Sequence, residues 1–89
     1  MTEHEIYFYI RPFLMARQEK FYTQEELARR ANMKQAAIAR FELCRGNPTL
    51  SFLHDLAEAL EMNMTIELKP KSKYDDFFIE LLAKESEFR

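Results

Sequence analysis

The sequence predicts a mainly α-helical fold with one β-strand near its C-terminus and a final amphipathic helix. Three observations lead to this fold class. Apolar residues recur at helical spacing through most of the chain, residues 23–42 have the pattern of two short helices joined by a tight turn, and the spacing changes to strict alternation at residues 62–69. The 89 residues, 47% of them hydrophobic, suit a single domain near the lower size limit for an independent core.

The N-terminal segment is compatible with two structures. Thr2 and Glu5 have the spacing of a capping box, which would start a helix that runs to Lys20 with a kink at Pro12. Residues 6–10, with the sequence IYFYI, instead have the composition of a strand, and proline is favoured as the first residue of a separate helix. Only a helix from Pro12 to about Lys20 is predicted, and the structure of the preceding residues stays open.

Residues 23–42 are the centre of the predicted fold. Thr23 and Glu26 are spaced as a second capping box, so a helix is expected to begin at Gln24. It can end at Asn32, because asparagine tolerates a positive φ and allows the chain to turn sharply. One face of this helix is apolar and consists of Leu27, Ala28 and Ala31.

A second helix follows the turn and has a polar outer face. Its apolar set, which is expected to face the core, comprises Met33, Ile38 and Phe41. The outer face comprises Lys34, Gln35, Ala36, Ala39 and Arg40. This face is the candidate functional surface.

At these residues the chain resembles the helix-turn-helix of lambda-type phage repressors and of the XRE family of bacterial regulators. The resemblance covers both helices, continues into the loop CRGNPTL, and extends in looser form to about Leu60. The chain departs from the family at Asn32, where glycine is usual, and at Lys34, where a Ser or Thr cap is usual. The resemblance implies a lambda-repressor-like core over residues 11–61 and a homodimeric repressor that binds a palindromic operator in double-stranded DNA.

The resemblance also implies roles for individual residues. The outer face would read bases, through Gln35, Ala36, Ala39 and Arg40. Phosphate contacts are expected from Gln24, Lys34, Arg45, Gly46 and Asn47. Arg40 could fork onto guanine or clamp a phosphate, and both roles stay open. A solvated polar surface is the alternative for the whole face, and it is an equal alternative for Arg29, Arg30 and Lys34.

The charge distribution is compatible with DNA although the net charge is −2. Residues 11–45 carry eight basic and four acidic residues, whereas residues 46–89 carry five basic and nine acidic ones. The positive half contains the predicted helix pair. A local basic patch can attract DNA while the acidic remainder suppresses nonspecific binding.

The chain after the loop is predicted to form a helix and then a strand. The stripe Leu53, Leu56, Ala57 and Leu60 has clean helical spacing and should close the core. The strand side chains Met62, Met64, Ile66 and Leu68 alternate with polar residues, and Pro70 ends the run. A lone strand is unstable, so its partner must be residues 6–10 or the same strand of a second subunit. The symmetric solution makes these four side chains the predicted dimerisation residues.

Residues 62–89 are predicted to be an extension for dimerisation or partner binding. The sequence LEMNMTIEL is similar in pattern to the small antitoxin repressors of the HipB-like kind, which implies a toxin protein as a further partner. The last predicted helix, from residue 72 to about 85, has a wide apolar stripe formed by Tyr74, Phe77, Phe78, Leu81 and Leu82. That stripe exceeds what a DNA-binding core needs.

Several function classes are not expected. The sequence shows no phosphate loop, no nucleophile with a base at defined spacing and no metal-ligand cluster, so no catalytic site, metal or cofactor is predicted. One cysteine excludes an internal disulfide, and no signal peptide or membrane span is expected, which predicts a cytoplasmic protein. Two functions remain: a DNA-binding repressor, with or without an antitoxin role, and an interaction module that inhibits a toxin with little or no DNA binding.

Overall fold

Four α-helices form the part of the protein that the structure, a computed structural model, describes, namely residues 1–71. They are α1 (Glu3–Glu19), α2 (Gln24–Ala31), α3 (Gln35–Glu42) and α4 (Leu50–Ala59). The mainly helical fold and the pair of short helices are as predicted. The predicted final helix at residues 72–85 lies outside the described residues.

The first helix begins at Glu3, so of the two structures left open for the N-terminal segment the helix that continues past Pro12 is the one observed. Thr2 caps the helix, because its Oγ1 accepts a hydrogen bond from the Glu5 amide at 3.2 Å. Ile10 is buried in the core, which a helix achieves by bringing it onto the same face as the other core residues of α1. Pro12 lies inside the helix, where its missing N–H removes one backbone hydrogen bond without ending the helix.

Threonine caps also begin the second and fourth helices. The Oγ1 atoms of Thr23 and Thr49 each accept a backbone amide hydrogen bond at 3.0 Å. The predicted capping box at Thr23 forms only in this direction, because the Glu26 carboxylate turns outward to pair with Arg29 and Arg30. Lys34 is the N-cap of α3 and forms no side-chain capping hydrogen bond, as its lack of an acceptor predicts.

All four helices end in the same left-handed turn, and none uses glycine there. The residues with positive φ are Phe21 (58°), Asn32 (56°), Cys44 (62°) and Glu61 (57°). In each case the next amide donates to a carbonyl five residues earlier, as in the bond from Tyr22 to Arg17 at 3.1 Å. A side chain with a Cβ is disfavoured in this conformation by about 1 to 2 kcal/mol, and asparagine least. The helix ends therefore store strain that the packing of the helices must offset.

All four helices contribute to the core, with α2 packed on α3 and α4 and α1 packed on α3. Its fully buried side chains are Leu27, Ile38, Leu56 and Leu60, all of which the helical spacing predicted to face inward. Phe41 joins three helices, because its ring meets Phe13 edge to face at 5.5 Å and Phe52 at 5.4 Å. This packing sets the position of α3, the helix with the polar outer face.

The predicted strand is not confirmed within residues 1–71. Met62 donates its amide to Ala57 at the end of α4, and residues 63–71 form no backbone hydrogen bond with another described residue. The first proposed partner is not available, because residues 6–10 belong to α1. A strand needs a neighbour to form its ladder, and residues 1–71 supply none. Across these residues, no helix is long and apolar enough to cross a membrane.

The strained helix ends allow a stability test at Phe21, whose side chain is 92% exposed. We expect Phe21→Gly to raise the free energy of unfolding by about 1 kcal/mol, because glycine adopts a positive φ without a Cβ clash. Phe21→Ala is the matched control: it removes the same exposed ring but keeps the Cβ. Urea denaturation of the three proteins gives the comparison, and equal stability of the glycine and alanine variants would contradict the assignment of strain.

Candidate nucleic-acid interface

Most of the predicted outer face of α3 is exposed within residues 1–71. Gln35, Ala36 and Arg40 are exposed, and Ala39 is half-buried. The opposite face is fixed, because Ile38 and Phe41 are buried in the core. The exposed residues therefore lie on a helix whose rotation about its own axis is set by packing.

An ion pair joins α1 to the end of α3 and helps to fix the position of this surface. Arg17 and Glu42 meet in a two-pronged contact, with Nε 2.6 Å from Oε2 and Nη2 2.9 Å from Oε1. Their side chains are only 15% and 9% exposed. The remaining guanidinium nitrogen, Nη1, donates to the carbonyl oxygen of Tyr22 at 2.7 Å. Charge-assisted bonds of this geometry are among the strongest that side chains form, and the pair is shielded from solvent.

Two glutamines extend this contact to the protein surface. Gln24 donates from Nε2 to Glu42 Oε1 at 2.9 Å, and Gln35 donates from Nε2 to Gln24 Oε1 at 3.4 Å. The result is a continuous chain from Arg17 through Glu42 and Gln24 to Gln35. Gln24 begins α2 and Gln35 begins α3, so the chain also ties together the N-termini of the two short helices.

The chain of contacts determines what Gln35 can offer. An amide nitrogen carries two hydrogens, and the bond to Gln24 uses one of them. No other group among residues 1–71 bonds the second hydrogen or the carbonyl oxygen, so both can meet a ligand. A donor and an acceptor side by side match the N7 and N6 positions of adenine in the major groove.

The basic residues near α3 fall into two groups. Arg29 and Arg30 both pair with Glu26, at 2.9 and 3.2 Å, and the Arg30 guanidinium also lies 4.4 Å from the centre of the Tyr22 ring. The single Glu26 carboxylate thus offsets one of these two positive charges within the protein. Lys34, Arg40 and Arg45 are exposed and form no ion pair with any residue among 1–71. The second group is therefore the better source of positive charge for an anionic ligand.

The loop after α3 continues the same surface. Arg45, Gly46 and Asn47 are all exposed, and they follow directly from the left-handed turn at Cys44. The predicted phosphate contacts Gln24 and Lys34 lie at the N-terminal ends of α2 and α3. The surface thus combines two helix N-termini with one loop, an arrangement that suits a long anionic ligand.

The predicted dimerisation residues lie on the irregular segment beyond α4. Ile66 and Leu68 are 66% and 92% exposed, Met62 is exposed, and Met64 is half-buried. Several residues of this segment line an apolar groove of about 370 Å³ whose other walls are α1 and α4. Four large apolar side chains in so short a segment expose apolar surface to water, which is unfavourable.

The sequence reasoning missed Arg17 and Glu42 as residues that position the interface. Arg17 lies one helical turn after Phe13 and so on the core-facing edge of α1, which was the available signal. An arginine on that edge requires an acidic partner, because an unpaired buried charge is strongly unfavourable. Glu42, the acidic residue that follows the core residue Phe41, was the candidate.

Comparisons with known proteins agree with this geometry. The helix-turn-helix family HTH_3 matches residues 14–66. The antitoxin HipB of Escherichia coli K12 is 38% identical over 52 residues, which span 58% of this chain and 59% of the antitoxin. The antitoxin HipB of Escherichia coli O6:H1 is 36% identical over 52 residues, which span 58% of this chain and 55% of the antitoxin. The chain therefore matches little more than half the length of these relatives.

A solved structure shows the same fold. One chain of a HipA-HipB-O2-O3 complex matches with a TM-score of 0.62 and 28% identity, covering 79% of this chain and 94% of that chain. The resemblances to XRE-family regulators and to HipB-like antitoxins that the sequence suggested are thereby confirmed.

The buried ion pair gives a stability prediction. Glu42→Gln should lower the free energy of unfolding by about 3 kcal/mol, because it leaves the Arg17 charge uncompensated in a site with little solvent. The control is Glu61→Gln, which breaks the exposed pair between Lys20 and Glu61 at 3.5 Å and should change stability by less than about 0.5 kcal/mol. Urea denaturation measures both variants. Similar losses in the two would show that burial of the Arg17–Glu42 pair has no energetic consequence.

Proposed function

The chain belongs to the helix-turn-helix family, and on that basis we propose that it is a sequence-specific DNA-binding transcription regulator that acts as a homodimeric repressor. The observation that carries the proposal is the exposed Gln35 at the start of α3, held by Gln24 and Glu42. Uncompensated basic residues lie on the same surface. The side-chain amide of Gln35 is oriented before a ligand binds, so it is suited to hydrogen bonding with a base edge. The basic residues beside it are suited to contacts with the phosphate backbone.

The proposed roles follow the geometry of the helix pair. The N-terminal end of α3 enters the major groove, where Gln35 contacts adenine and Ala36 packs on a thymine methyl group. Ala39 lies one turn further along the same face and presents only a small apolar contact. Backbone phosphates are bound by a set of residues around this helix, namely Gln24, Lys34, Arg45, Gly46 and Asn47.

The segment 62–68 supports the proposal that the protein is a homodimer. The segment has no pairing partner among residues 1–71, and three of its four large apolar residues, Met62, Ile66 and Leu68, are exposed. Pairing with the same segment of a second copy would form the predicted strand, satisfy its backbone groups and cover Met62, Met64, Ile66 and Leu68. A two-fold axis at this strand would present two copies of α3 to a palindromic operator.

The proposed biological role is that of an antitoxin repressor. Both curated relatives are antitoxins by name, which favours a toxin protein as a second partner. Residues 62–89 are proposed as the extension that serves dimerisation or partner binding. The alternative is an interaction module that inhibits a toxin with little or no DNA binding, and DNA affinity that is indifferent to salt would favour it. For either role we propose no catalytic activity, no cofactor and a cytoplasmic location.

Base reading is tested at Gln35. Gln35→Ala should weaken binding to the cognate site by about 1 to 3 kcal/mol and relax the preference at one base pair. Lys34→Ala should weaken binding to all sequences alike, because a phosphate contact carries no sequence information. A binding selection on randomised DNA with wild type and both variants gives the measurement. An unchanged motif and affinity in Gln35→Ala would show that α3 is not the reading helix.

Dimerisation is tested at Ile66. Ile66→Pro removes an amide that the intersubunit ladder needs, so it should convert a dimer into a monomer or an unfolded chain. Lys71→Pro, outside the alternating run, is the control and should leave the dimer intact. Light scattering at micromolar concentration distinguishes the states. A monomeric wild type at that concentration would refute pairing through this segment.

A further inference from the structure

We propose that Gly46 is a positioning residue that leaves the space in which the Arg40 side chain lies against the loop after α3, so that Arg40 binds the DNA backbone and does not read a base. The DNA-binding part rests on the proposed function. The placement of the Arg40 side chain against Gly46, which we call the Arg40 seat, is a feature of the free protein and can be tested without DNA.

The contact between the two residues leaves no room for a side chain at position 46. A Cβ built on Gly46 would lie 2.9 Å from Arg40 Nε, 3.4 Å from Nη2 and 3.6 Å from Cζ. The first distance is shorter than two such atoms can approach. The Arg40 guanidinium therefore lies along the glycine backbone, and any residue with a Cβ at this position must displace it.

The backbone of the loop creates this approach. The Arg45 amide donates to the Arg40 carbonyl at 3.0 Å, which folds the chain back over the last turn of α3. Cys44 makes that turn with a φ of 62°, and Gly46 continues it with a φ of 78°. Gly46 is the only glycine in the sequence. It lies where the chain needs both a positive φ and an open surface.

The charges around the seat identify the kind of ligand. Arg40, Arg45 and Asn47 line one open groove of about 240 Å³, together with the start of α4. Neither arginine pairs with an acidic residue among 1–71. Two guanidinium groups at one groove repel each other until an anion neutralises them, and guanidinium geometry matches phosphate oxygens. A phosphate of the DNA backbone meets these requirements.

The position of Arg40 on α3 separates it from base reading. It lies five residues after Gln35, which is about 7.5 Å along the helix axis at 1.5 Å per residue. Base contacts in this motif come from the N-terminal end of the reading helix. With its guanidinium turned to the C-terminal loop, Arg40 faces away from that end.

Gly46→Asn is the variant that isolates the seat. Asparagine accepts a positive φ more readily than other residues with a side chain, so the loop keeps its path with little strain. The Asn Cβ still occupies the space of Arg40 Nε. The arginine side chain is exposed and flexible, so it moves aside while the fold is retained.

The seat is tested first in the free protein by NMR. The Nε–Hε signal of Arg40 should shift in Gly46→Asn while that of Arg17, which is bound to Glu42, stays in place. A parallel shift of both signals would indicate a general change of fold, and an unchanged Arg40 signal would show that no seat exists. Either of these two results overturns the proposal.

The role in binding is tested by a double-mutant cycle on the duplex selected with wild type. Arg40→Ala and Gly46→Asn should each lower the slope of log K against log salt by about 0.9 per protomer, without changing the selected motif. The double variant should bind like Arg40→Ala alone, because the seat has no function without its arginine. Effects that multiply, or a motif altered by Arg40→Ala, would overturn the assignment.

The two tests also separate this proposal from the proposed function. If wild type selects no duplex, the DNA-binding function fails and the backbone role of Arg40 fails with it, while the NMR comparison still decides whether Gly46 seats Arg40. If wild type selects a duplex but the cycle is additive, the proposed function stands and the role of Gly46 is wrong.

Discussion

The ion pair between Arg17 and Glu42 is the contact on which the geometry of the candidate interface depends. It joins α1 to the end of α3, and one oxygen of Glu42 also holds Gln24, which in turn holds Gln35. Desolvated charges of this kind are stable only when every polar atom has a partner, and the Tyr22 carbonyl takes the last nitrogen of Arg17. Because the buried pair needs hydrogen-bond partners, it orders the side-chain amides of Gln24 and Gln35.

The helix that carries the proposed reading residues is weak by itself. It has eight residues and no side-chain cap at Lys34, and isolated helices of this length are unstable in water. Ile38 and Phe41 anchor it to the core, so its position is a property of the tertiary structure. In place of a cap the helix has Lys34 at its N-terminus. A positive charge there is unfavourable for the helix dipole but attracts an anionic ligand.

The helix ends show a related compromise. Within residues 1–71 the left-handed helix ends are made by Phe21, Asn32, Cys44 and Glu61, whereas the one glycine of the sequence lies in the loop beside Arg40. Stability alone would favour glycine at the helix ends. The location of Gly46 instead follows the need for an open surface next to a basic side chain.

The sequence by itself determined α2, α3, α4, the part of α1 after Pro12 and the polar face of α3, because apolar spacing, threonine caps and the turn at Asn32 are local signals. Tertiary structure decided the rest. Residues 6–10 have strand composition, yet burial of Ile10 against the core favours the helix. Residues 62–68 have strand spacing, but a strand forms only beside a second strand. Residues 6–10 cannot be that partner, because they belong to α1. The pairing of Arg17 with Glu42, 25 residues apart, required the folded core because no local spacing encodes a contact between distant helices.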